Sequence, residues 1–104
     1  VHIEPRAEEL LAGAEMAPAE RAEVERRIEA VLAGVVASRR WYDLDLREVG
    51  GSVYLAFHLQ VPRDLSVAEV HAVTEDVENR LRRELPRLGR VVIHAEPFVV
   101  AEEE

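Results

Sequence analysis

Over residues 19–36 the apolar positions Val24, Ile28, Val31, Leu32, Val35 and Val36 recur at helical spacing, opposite Glu23, Glu25, Arg26, Arg27 and Glu29. That pattern predicts an amphipathic helix of about five turns. The period then falls to two: Tyr42, Leu44 and Leu46 alternate with Asp43, Asp45 and Arg47, and Gly50-Gly51 supplies the positive-φ residues of a tight turn. In the next strand Val53, Leu55, Phe57, Leu59 and Val61 take one face, leaving Tyr54, Ala56, His58 and Gln60 on the other. Pro62 closes that strand, and Ser66 with Glu69 forms a capping box opening a second helix. Its stripe is Val67, Val70, Val73, Val77, Leu81 and Leu85, and Pro86 stops it. A last strand runs from Arg90 to His94 or beyond and ends at Pro97.

The order helix, strand, strand, helix, strand lets both helices cover one face of a three-stranded sheet. The expected fold is therefore an α+β sandwich of two layers, with the second sheet face open. Residues 6–17 are Ala/Glu-rich and interrupted by Gly13, which suits a linker with room for one helical turn. The expected organisation is a linker over 1–18, one domain over 19–98 and a disordered acidic tail over 99–104. The pattern His-x-Glu-Pro occurs at both His2-Ile3-Glu4-Pro5 and His94-Ala95-Glu96-Pro97. Such a repeat suggests that the chain begins where an earlier copy of the unit ended, with His2 and Glu4 as that copy's ligands or as inert linker.

With 104 residues, 48% of them apolar, the chain is large enough for one core without a disulfide staple. No cysteine is present, which fits a reducing compartment and limits any metal site to His, Asp and Glu. A net charge of −8 repels phosphate backbones and makes divalent cations the better electrostatic partner, so no nucleic-acid role is expected. No apolar run approaches the roughly 20 residues a membrane span needs, and nothing resembles a signal peptide. Direct membrane insertion of this segment is not expected, although spans elsewhere in a longer chain are compatible with it. Arg39-Arg40 and Arg82-Arg83 read as solvated helix-end charges. No Gly-rich phosphate loop, Ser/His/Asp set or paired-carboxylate cleft appears, which argues against an enzyme.

Three histidines fall where an open face could use them. His94 and Glu96 share one face of the last strand, His58 lies on the polar face of the middle strand, and His71 sits in the first turns of the second helix beside its apolar stripe. A lone strand histidine is more often solvated or hydrogen-bonded than a ligand. No pair here has the spacing of a dedicated zinc motif.

Four stretches change that weighting: Asp43 to Gly51, Phe57-His58-Leu59-Gln60-Val61, Leu65 to His71, and Val92-Ile93-His94-Ala95-Glu96-Pro97. In this order and spacing, over roughly residues 20–98, the chain resembles the cytoplasmic C-terminal domain of the cation diffusion facilitator family of divalent-metal exporters. The resemblance implies a metallochaperone-like, ferredoxin-like fold at the cytoplasmic face of a membrane. It further implies a homodimer that binds zinc or another divalent transition metal and couples that binding to cation efflux through a membrane-spanning part of the same chain. Carried over residue by residue, it makes His58, His71, His94 and Glu96 metal ligands, with His71, His94 and Glu96 the more complete set. One position departs. Where many members have His-Asp-Leu, this chain has Tyr42-Asp43-Leu44 preceded by Trp41. A phenol keeps its proton to about pH 10 and is a poor zinc ligand, so one donor is lost unless Asp43 or a partner residue replaces it. Trp41 is expected to anchor the core or the dimer, or to stand beside the metal. Two other readings remain at this stage: a metal-independent dimerisation domain of the same family, and an unrelated ferredoxin-like interaction module.

Overall fold

The computed structural model describes residues 14–38 and 40–98. Arg39, the acidic tail at 99–104 and the first His-x-Glu-Pro motif, with His2 and Glu4, lie outside the described residues. The elements are β1 (Ala14–Glu15), α1 (Pro18–Ala33), β2 (Trp41–Val49), β3 (Ser52–Pro62), α2 (Val67–Glu84) and β4 (Leu88–Phe98). The sheet order is β1-β2-β3-β4, with β3 and β4 parallel and the other pairs antiparallel. The expected three-stranded sheet is thus β2-β3-β4, and its edge is extended by β1. Ala14 and Glu15 pair with Glu48 and Arg47, so the described end of the expected linker carries a short strand, and its residues 6–13 lie outside the described residues.

Pro18 opens α1 where its missing N–H costs nothing. The helix is shorter than its apolar pattern predicts. Gly34, a poor helix former, unwinds the chain, and the Ser38 hydroxyl donates to the Leu32 and Val35 carbonyls at 2.8 and 3.1 Å. Val35 still reaches the core, but Val36 is 92% exposed. In α2 the capping box is present as expected, with Ser66 and Glu69 each bonding the other's backbone N–H. Val67 belongs to the first turn and points out, at 87% exposure, while Val77 and Leu81 are fully buried. Arg82 is more than a solvated charge. It pairs with Glu78 and donates to the Leu88 carbonyl at 3.3 Å, tying the end of α2 to the start of β4.

β3 alternates without exception, its odd-numbered residues Val53 to Val61 buried and its even-numbered ones half-buried. Ile28, Phe57, Leu59, Val77 and Leu81 form the centre of the core between sheet and helices. Trp41 packs edge-on against Phe57, centroids 5.6 Å apart, and its indole N–H donates to Glu29 at 3.0 Å. Of the roles expected for Trp41, the structure shows the core anchor.

The alternation expected in β2 is broken by a bulge. Tyr42 pairs with His58 but Asp45 pairs with Ala56, so the strand carries one extra residue there, and Asp43 adopts φ 59°. Parity therefore flips. Leu44 and Leu46 pack toward the core, whereas Tyr42 stands on the opposite face with Asp45 and Arg47. Arg21 of α1 donates to the Leu44 carbonyl at 3.1 Å, holding the bulge from the helix side.

Candidate metal site on the open sheet face

The bulge and the β3–β4 register together assemble a row of side chains across the uncovered face. His58 pairs with both Tyr42 of β2 and His94 of β4. The three rings stack in sequence: Tyr42 on His58 at 5.0 Å and 21°, His58 on His94 at 4.8 Å and 25°. Two residues beyond His94, on the same face, Glu96 lies opposite Gln60. Its Oε2 accepts the Tyr42 hydroxyl and stands 3.9 Å from His58 Nδ1. The Gln60 Oε1 nearby is buried and finds no protein partner. This face is polar and aromatic because the bulge turns Tyr42 onto it, away from the core side that Leu44 and Leu46 share.

The hydrogen bond from Tyr42 to Glu96 raises its phenol pKa above the ordinary value of 10.0, with desolvation and the Glu96 and Asp43 charges acting in the same direction. The phenol is therefore a stable donor at neutral pH.

The residues anticipated as ligands are only partly brought together. His58, His94 and Glu96 share this face. His71 does not: it is on the helix layer, where it lines a shallow apolar groove with Leu65, Val67, Val70, Thr74, Ile93 and Ala95. Ile93 and Ala95 flank His94 in β4, and alternation turns them to the helix side while His94 and Glu96 face the other way. Within one chain the sheet separates His71 from His94 and Glu96, so the expected three-residue set does not converge. Asp43 is at the β2 edge, in a depression shared with Arg21, Glu25, Glu29, Trp41, Tyr42 and Leu44. Among the described residues no group of three or more His, Asp or Glu is placed to hold one ion as the side chains stand. What the sequence reading missed is Tyr42, counted there only as a lost ligand; in the fold its hydroxyl bonds the best-placed carboxylate.

The chain is thus a two-layer α+β domain with a histidine pair and a carboxylate on its uncovered sheet face. The chain belongs to the family described as the cytoplasmic domain of cation efflux proteins, whose profile matches residues 18–98. It is 32% identical over 59 residues to the cation-efflux pump FieF of Shewanella oneidensis, a match covering 57% of this chain and 20% of the pump. The chain thus spans about a fifth of that relative. In structure it is similar to the metal-bound C-terminal domain of the CzcD transporter from Thermotoga maritima, with a TM-score of 0.73, 23% identity, and 79% and 94% of the two chains covered. It is also similar to the C-terminal domain of MamM, with a TM-score of 0.70, 22% identity, and 76% and 99% covered. At those identities the likeness is one of fold. The family is a domain of cation efflux proteins. Among the described residues no helix is long and apolar enough to cross a membrane.

Proposed function

We propose that this domain senses a divalent transition metal, zinc or a similar ion, on its open sheet face and works as a homodimer that couples binding to cation efflux. The observation that carries the reading is the direct pairing of His58 with His94 beside Glu96, whose Oε2 is 3.9 Å from His58 Nδ1. Two neutral imidazoles and a carboxylate suit zinc in both hardness and charge. The stacked rings do not aim their nitrogens at one point, so binding requires them to turn out of the stack. His71 lies on the far side of its own sheet, away from this site. Asp43 is at the rim, where it adds negative charge rather than a ligand to the same ion. A net charge of −8 per chain opposes association, and ions held between two open faces offset part of that repulsion. The metal-bound form of the CzcD domain, a relative in fold, supports the reading.

One observation favours a second reading, a metal-independent dimerisation domain: the Glu96 carboxylate is already satisfied by Tyr42. Zinc titration against a chromophoric chelator separates the two. The sensing reading expects binding at micromolar zinc or below, weakened at least about tenfold by His94→Ala. Equal binding by the wild type and His94→Ala, or none by either, leaves the dimerisation reading.

A further inference from the structure

Tyr42 and Glu96 are 54 residues apart and come from strands that are not neighbours. Strands in a sheet are about 4.8 Å apart, so a side chain on β2 that reaches a carboxylate on β4 crosses roughly twice that distance over β3. The Tyr42 hydroxyl and the Glu96 carboxylate therefore meet over β3 beside His58, whose Nδ1 is 3.9 Å from the same Glu96 oxygen. The phenol also covers one side of the His58 imidazole, its ring stacked at 5.0 Å. The oxygen it bonds, Oε2, is the one turned toward His58 Nδ1. Two independent features put it there: the bulge at Asp43, with φ 59°, which turns Tyr42 onto the open face, and Arg21, which braces that bulge through the Leu44 carbonyl.

We propose that Tyr42 is a latch on the metal site, its hydroxyl competing with a divalent cation for Glu96 Oε2 so that an ion must displace the phenol to bind. This rests on the reading of the open face as a metal site and adds the regulation of that site. The latch raises the ion concentration at which the domain responds. It also holds the ligands in order without metal, since Glu96 stays hydrogen-bonded and His58 stays stacked. An ordinary phenol keeps its proton to about pH 10, so the latch is a hydrogen bond broken by the ion rather than a charge neutralised by it.

The test is a zinc competition titration on the full chain, comparing the wild type with Tyr42→Phe, which keeps the ring but not the hydroxyl, and with Tyr42→Ala, which removes both. Tyr42→Phe is expected to bind zinc roughly three- to tenfold more tightly, the range that a hydrogen bond to a charged acceptor supplies at an exposed site. Tyr42→Ala is expected to bind at least as tightly as Tyr42→Phe. In a Tyr54→Phe background, zinc is expected to shift the tyrosine ultraviolet absorbance as the phenol leaves Glu96. Equal or weaker binding by Tyr42→Phe, or binding without the absorbance shift, overturns the latch and leaves the metal site standing, with Tyr42 as a support for a ligating carboxylate. If neither the wild type nor the variants bind zinc, the metal reading and the latch fall together.

Discussion

His58 and His94 are direct partners in the parallel β3–β4 register, with ring centroids 4.8 Å apart. Residues opposed in this way in a sheet cannot drift apart without slipping the strands, and a slip of one strand by one residue would carry its histidine to the core face. The register is held by the opposite face, where Leu55, Phe57 and Leu59 are each buried to within 2% of full burial. The apolar face thereby fixes the geometry of the polar one.

The core is accordingly the place where the site is most easily destroyed from a distance. Phe57 is fully buried under the Trp41 ring and lies next to His58. Phe57→Ala is expected to cost about 3–5 kcal/mol, measured by urea unfolding. His58→Ala, at a half-buried position, is expected to cost less than Phe57→Ala, since each of its two ring stacks contributes about 0.5–1.5 kcal/mol.

A second expectation concerns the bulge. Asp43 holds φ 59°, a region that Asp tolerates, Gly occupies freely and β-branched residues resist. Asp43→Gly is expected to keep the fold within about 0.5 kcal/mol. Asp43→Val is expected to lose roughly 1–2 kcal/mol and to weaken the Tyr42–His58 stack, visible as changed shifts of both rings in NMR spectra.

These two cases show what could be read from the sequence. β3 and the capping box of α2 were legible because each depends on neighbours in the chain: strict alternation, and a serine three residues before a glutamate. The bulge was not, because Tyr42-Asp43-Leu44-Asp45-Leu46 reads as clean alternation. The extra residue shows only against β3, and the one local hint is an aspartate, a residue that tolerates left-handed backbone, inside a strand. The site was half legible. Same-face placement of His94 and Glu96 followed from period two, and His58 joined them through strand pairing. His71 did not, because which side of the sheet a helix covers is set by the path of the chain and not by spacing. The Tyr42–Glu96 bond lies beyond any local pattern.

Alkaline titration should expose that bond. Its phenol pKa is raised above 10.0, chiefly by the hydrogen bond to Glu96. A group whose pKa rises on folding lends stability that is full below its unfolded value and disappears as pH climbs through the folded one. The Tyr42 contribution is therefore constant through neutral pH and lost above about pH 10. In metal-free Tyr54→Phe protein, absorbance at phenolate wavelengths is expected to rise later than for free tyrosine, and Glu96→Gln is expected to bring the transition down. An unchanged transition in Glu96→Gln would mean that the carboxylate does not hold the phenol in solution.

Assembly is the next expectation. The proposed sensor works as a pair of chains, with ions held between their two open faces. Small-angle scattering is expected to report a dimer, more compact with zinc than without. The zinc-dependent part is expected to shrink in His94→Ala. A monomer under both conditions, or a dimer indifferent to zinc, would leave the domain as a passive tether.

The most direct measurement is an anomalous-difference map at the zinc edge from crystals grown with zinc. The expected result is a peak on the open sheet face, about 2.0–2.2 Å from a nitrogen of His58 or His94 and an oxygen of Glu96, with Tyr42 swung off the carboxylate. A peak placed away from these three side chains, or none with Tyr42 still bonded to Glu96, would contradict the account.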